Sequence, residues 1–218
     1  IQFLGIAALI IIVAIAAIVV GVKKHRAKVT EPPAISMSSG ESGVTENQEV
    51  SQLMMDYFAA YAENDIEKLQ TIAHPISDKE KEYIQIFSEY TESYDNVVCY
   101  TKQAQDETCY LAAVYYEVKF KKVKTPAPGM MFFYVETDEE GNLYINNVYS
   151  QYNMTYKETE LNPEITALIA TYQADSAIVS LTEETQKRYE EAVASSRSLK
   201  EMVETTLPEA FSEWNKQR

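Results

Sequence analysis

The sequence predicts an α+β protein: an N-terminal transmembrane helix, then a soluble domain whose helices precede an antiparallel meander of strands, then a C-terminal helical tail. Three observations carry this prediction. Residues 1–22 hold no charge, apolar residues between Asn47 and Tyr94 recur at three- and four-residue steps, and residues 96–149 alternate β-branched and aromatic runs with turn sequences. After an anchor and a linker, 218 residues leave room for one ordinary domain with an appendage.

The anchor contains one strongly polar residue, Gln2, and its length is what about 30 Å of hydrocarbon asks of a helix. A cleaved signal peptide has a shorter apolar core, whereas here Ile and Val continue past Ala14, Ala16 and Ala17. Lys23, Lys24, Arg26 and Lys28 follow at once, and positive charge beside a span marks the cytoplasmic side. That rule compares two flanks, and because the chain opens at Ile1 rather than Met, a preceding segment is expected. Residues 23–44, a basic flank running into a stretch rich in Pro, Ser, Gly and Glu, read as a flexible tether.

The domain beyond the tether is acidic. From residue 31 onward there are 15 basic and 33 acidic residues, a balance of −18. Such a surface repels nucleic acid and anionic lipid, which excludes both as partners of the soluble part and leaves divalent cations or basic peptides compatible with it. The plainest role for this charge is solubility. Tyrosine dominates the aromatic residues, 16 Tyr against 7 Phe and 1 Trp, a mix suited to half-exposed sheets and grooves.

A first helix begins near Thr45 or Asn47 and presents Val50, Leu53, Met54, Tyr57, Phe58 and Tyr61 on one face. The pattern breaks at Asn64-Asp65, where Asp65 can cap a short second helix carrying Ile66, Leu69 and Ile72. Pro75 ends that helix, and Ser77 with Glu80 forms a capping box for a third, with Tyr83, Ile84, Phe87, Tyr90 and Tyr94 at helical spacing. Three helices are thus expected before any strand. The strands are read at NVVCYTK, TCYLAAVYYEVKFKKV, GMMFFYVETD and NLYINNVY, parted by turn chemistry at 103–106, 126–129 and 138–142. After Asn162-Pro163 the apolar residues return to helical spacing without a strict heptad, so these helices are expected to pack on the sheet, with Phe211 and Trp214 docking back.

The stretch YFAAYAENDIEKLQTIAHP resembles the opening of nuclear transport factor 2-like domains, the cone-shaped fold shared with SnoaL-like and cystatin-like proteins, in which a curved sheet follows. EKEYIQIFSEYTESYDNVVCYTK, KTPAPGMMFFYVETDEEGNLYINNV and YEEAVASSRSLKEMVE resemble uncharacterised membrane-anchored proteins of Gram-positive bacteria, some of which continue into a bacterial Src-homology-3-like domain. The resemblance implies a nuclear transport factor 2-like domain over residues 45–160, a helical region over 161–218, and display outside the cell membrane. It implies architecture rather than activity.

Few residues suggest chemistry. Cys99 and Cys109 flank the first hairpin turn, and an odd loop there would set them directly opposite one another, within disulfide range. A bridge would favour an oxidising exterior; two neighbouring reduced thiols are the alternative. His74, before Pro75, reads as a histidine at a helix C-terminus. Tyr110, Tyr115, Tyr116, Tyr134 and Tyr144 are candidate ligand-binding residues, with core and cross-strand pairing as the plain alternative. Asp138–Asn142 lacks the loop length and terminal glutamate of a calcium-binding hand and reads as a turn. No catalytic residue, metal ligand or cofactor is assigned. The expected function is a non-catalytic, membrane-tethered binding or adaptor module for a peptide, wall component or protein. The alternatives are a small-molecule enzyme of the ketosteroid isomerase or SnoaL-like type, or a structural spacer. Convergent ionisable groups around an internal cavity would favour the enzyme; an interior filled with aromatic side chains would favour the module.

Overall fold

The computed structural model describes residues 44–104 and 108–217. The expected transmembrane span at 1–22 lies outside the described residues, as does nearly all of the tether. Among the described residues no helix is long and apolar enough to cross a membrane.

The three opening helices start at capping residues. Asn47 accepts the Glu49 and Val50 amides at the head of α1 (Gln48–Glu63), and the helix stops at Asn64, left-handed at φ 56°. Asp65 accepts the Lys68 amide to open α2 (Ile66–Ile72), and Ser77 accepts the Glu80 amide to open α3 (Asp78–Tyr90). Between α2 and α3 a two-residue strand, β1 (Ala73–His74), pairs in parallel with β5 (Leu143–Asn146). The expectation that three helices precede any strand is therefore corrected, and the sheet is mixed rather than purely antiparallel. Two residues are too few to show a periodicity.

β2 (Thr91–Gln103), β3 (Tyr110–Phe120) and β4 (Ala127–Thr137) complete a five-stranded sheet of order β1-β5-β4-β3-β2, antiparallel from β2 to β5. A bulge between Asp95 and Val98, with Asn96 at φ 51°, interrupts β2, and bulges of this kind bend and twist a strand. After β5 come a 3₁₀ turn at Asn147–Tyr149 and α4 (Gln151–Tyr156), then α5 (Pro163–Gln173), α6 (Ser176–Ser195) and α7 (Arg197–Glu201). A π-helical turn at Met202–Thr206 leads into α8 (Leu207–Gln217).

Both faces of the sheet are covered, which is why residues 111–116 of β3 are all buried. On one face Ala112, Val114, Tyr116 and Phe133 meet the apolar sides of α1 and α3, joined by Leu199, Val203, Leu207 and Phe211 from the C-terminal helices. On the other, Leu111, Tyr115, Met130 and Tyr134 meet Ile169 and Tyr172 of α5 and Ile178 and Leu181 of α6. The helices after residue 161 thus pack on the sheet as expected. Phe211 and Trp214 dock against Tyr83, and the Trp214 Nε1 donates to Glu82 at 2.8 Å.

The expected facing of Cys99 and Cys109 is also corrected. Cys99 stands opposite Val114, the hairpin closes with the Ala104 amide donating to the Cys109 carbonyl at 2.9 Å, and both cysteines are free and buried. The partner is displaced by an odd number of residues from the expected one. A shift of that parity turns a side chain to the opposite face, so Cys99 joins the α1 side and Cys109 the α6 side. A thiol reagent should accordingly titrate two cysteines in denaturant, react slowly with the native protein, and find no difference in melting temperature with or without reductant. Burial also pushes the Cys99 thiol up to about 11, which slows its reaction further.

Candidate functional site

The space between α1, α3 and the inner face of the sheet is lined with tyrosine. Tyr57 and Tyr61 lie four residues apart on α1 and so share one face, Tyr83 projects from α3, and Tyr94 and Tyr116 come from β2 and β3. Their rings and those of neighbouring phenylalanines touch edge to face or tilted: Tyr57 on Tyr61 at 5.7 Å, Phe58 on Tyr94 at 4.8 Å, Phe58 on Tyr116 at 5.0 Å and Tyr94 on Tyr116 at 5.3 Å between centroids. Tyr116 lies across Gly129 of β4, its cross-strand neighbour, where a Cβ would stand 2.5 Å from Tyr116 Cζ. Glycine at that position makes the seat for the ring.

The tyrosine hydroxyls are unusual in their bonding. Tyr57, Tyr61, Tyr83 and Tyr116 are more than nine-tenths buried, yet each keeps 4–8 % of its surface reachable by a water-sized sphere. Among the described residues none of these four hydroxyls, nor that of Tyr94, is hydrogen-bonded to another protein group. Burial drives all five phenols upward from 10, and in all but Tyr116 the neighbouring tyrosines add to the rise, so the group stays neutral and offers both donors and acceptors. None of these hydroxyls is sealed from water, so each can bond to water or to a polar ligand.

Glu80 stands at the edge of this interior. It is buried, its carboxylate accepts Asn147 Nδ2 at 2.8 Å, and the Ser77 backbone and Ser150 side chain nearby also favour its charged form. Asn147 Nδ2 also donates to the Pro75 carbonyl at 2.9 Å, tying the β1–α3 connection to the turn after β5. Burial raises the Glu80 carboxyl to about 7 against these hydrogen bonds, and the charge of Glu158 pushes it the same way. From outside, a cleft of about 100 Å³ reaches Glu80 between Pro75, Ser77, Asn147, Tyr152 and Glu158. Glu158 there accepts the Ser77 hydroxyl and the Tyr152 hydroxyl.

Of the tyrosines singled out in the sequence, only Tyr116 lies in this interior. Tyr110 is half-buried at the start of β3 on the same sheet face. Tyr115, adjacent to Tyr116, must point the other way, and its hydroxyl donates to Glu117 Oε1 at 2.8 Å. Tyr134 packs on Tyr149 on that outer face. Tyr144 stacks on His74 at 4.2 Å and donates to Glu136. The five therefore divide between the two faces and do not gather into one groove. Sequence spacing marks Tyr57, Tyr61, Tyr83 and Tyr94 only as helix-face residues and Glu80 only as a capping partner; the structure corrects Tyr94, which lies on β2 because α3 ends at Tyr90. The 138–142 segment is the expected turn: Asp138 accepts the Asn142 amide at 2.7 Å, and Gly141 takes φ 91°. Among the described residues no three His, Cys, Asp or Glu side chains group to hold a metal ion. Compared with known proteins, the chain matches no family model, no curated protein and no solved structure.

Proposed function

We propose that the domain is a non-catalytic binding module, tethered to a membrane by residues 1–22, that takes a small organic ligand into the tyrosine-lined interior. The observation that carries this reading is the set of five clustered tyrosines whose hydroxyls have no protein partner among the described residues, beside rings that supply apolar contact. Pockets that bind small molecules combine an apolar wall with a few polar groups, and the tyrosine rings and hydroxyls supply groups of both kinds. The nuclear transport factor 2-like architecture belongs to this proposal, supported by helices that come first and lie against a sheet antiparallel from β2 to β5. Display outside the membrane rests on the resemblance to anchored Gram-positive proteins; the free cysteines add no argument for an oxidising exterior. An impermeant protease that removes the domain from intact cells supports display, and protection until lysis refutes it.

The direct test is a set of small neutral and cationic ring compounds, followed by NMR of the tyrosine ring resonances. Shifts confined to Tyr57, Tyr61, Tyr83, Tyr94 and Tyr116 are the expected result. No shifts, or shifts only at Tyr115 and Tyr134 on the outer face, would remove the interior site. A second reading has one observation in its favour: a carboxyl at about 7 suits a general base. Slow conversion of a bound compound that disappears in Glu80→Gln would replace binding with catalysis.

A further inference from the structure

We propose that the ligand carries an organic ammonium group, held by Glu80 and the surrounding tyrosines. The inference rests on the interior reading above and names its ligand class. Among the described residues Glu80 is a buried carboxyl with no basic partner: its hydrogen-bond donor is the Asn147 side-chain amide. The two lysines that flank it on α3 are engaged elsewhere, Lys79 with Glu82 and Lys81 with Asp78. Glu158, which shares the cleft, carries a charge of the same sign. Buried charges in folded proteins are paired or take up a proton, and a carboxyl that no cation among the described residues meets has an opening for one from outside.

The rest of the interior selects the kind of cation. Tyr83, one turn after Glu80 on the buried side of α3, packs on Tyr152 of the cleft at 5.3 Å, so neutral aromatic rings stand beside the carboxyl. A carboxylate beside phenol rings is the environment that recognises alkylated ammonium groups, which are weakly hydrated and drawn to ring faces. A metal ion is a poorer match, because one carboxylate and phenols that stay protonated do not make a ligand set. The cleft between Pro75, Tyr152 and Glu158 brings solvent to Glu80, and its second carboxylate favours entry of a cation over an anion. The acidic surface of the whole domain raises the local concentration of cations in the same sense.

The test uses the full chain in a maltoside detergent at pH 8, where Glu80 is ionised, titrated in parallel with choline and with 3,3-dimethylbutan-1-ol, the uncharged isostere. Calorimetry and the tyrosine resonances are both followed. Choline should bind at least roughly tenfold tighter than the alcohol, and Glu80→Gln should erase that difference. Equal binding of the two compounds, or a preference for choline that survives Glu80→Gln, overturns the ammonium assignment and leaves the interior site standing. If neither compound moves the tyrosine resonances, the ammonium assignment fails; if the wider compound set is silent too, the interior site fails with it. The comparison of choline with its isostere on the unaltered protein decides the matter should Glu80→Gln not fold.

Discussion

Thermal unfolding should become easier as the pH rises from 5 to 8, and Glu80→Gln should abolish most of that dependence. The carboxyl lies near 4.5 in an unfolded chain and at about 7 in the folded one. The folded state therefore holds a proton that the unfolded state has released. The stabilisation is fully present below pH 4.5 and is lost as pH climbs through 7, amounting to about 3 kcal/mol at 1.36 kcal/mol per pH unit. Asp78, Glu82 and Asp138 are shifted the other way, downward, by hydrogen bonds that include Lys81, Trp214 and Asn142. Their contributions are lost only as pH falls below the ordinary carboxylate range, outside the window in which Glu80 titrates. Chemical denaturation across that window checks the prediction. Parallel profiles for the two proteins would show that Glu80 is ionised throughout, and would remove the argument that its burial is costly.

Gly129→Ala should destabilise the domain by about 1–3 kcal/mol through overpacking. The new methyl would meet Tyr116 Cζ at 2.5 Å and its hydroxyl oxygen at 2.6 Å, and the ring has nowhere to retreat, wedged against Phe58 and Tyr94. Combining it with Tyr116→Leu should recover most of the loss, so that the double variant is little worse than Tyr116→Leu alone. Gly141→Ala makes a useful contrast. Nothing stands near its Cβ, and its cost comes only from φ 91°, so no change at Tyr116 should relieve it. Additive losses at 129 and 116 would mean that Tyr116 swings aside freely.

Much of the chain declares its local structure. Asn47, Asp65 and Ser77 are capping residues, and α1, α2 and α3 begin where they predict. The strand runs between residue 96 and residue 146 are visible because β-branched and aromatic residues concentrate there. The register of the first hairpin is not visible. It depends on which face each helix covers, and with both faces apolar in residues 111–116 the alternation that would fix the pairing is absent. That is why Cys99 was expected opposite Cys109 and stands opposite Val114. The interior site was hidden for a related reason. The strands are dense in tyrosine, whereas the clustered five come from two helices and two strands whose proximity is set only by tertiary packing. Glu80 announced its place at the head of α3 through the capping pattern, but its burial depends on Asn147, 67 residues away along the chain.

The C-terminal helices have a consequence for how the chain is made. α5 and α6 close one face of the sheet, while Leu207, Phe211 and Trp214 close the other by packing over α1 and α3. A nascent chain that has finished β5 therefore has α1 and α3 over one face of its sheet, while the other oily face stays open until α5 and α6 are made. Folding from the N-terminus onward, while the polypeptide is still emerging, cannot run to completion. The domain has to wait for its last helix and then close in one late, cooperative step, exposed until then to self-association and to chaperone capture.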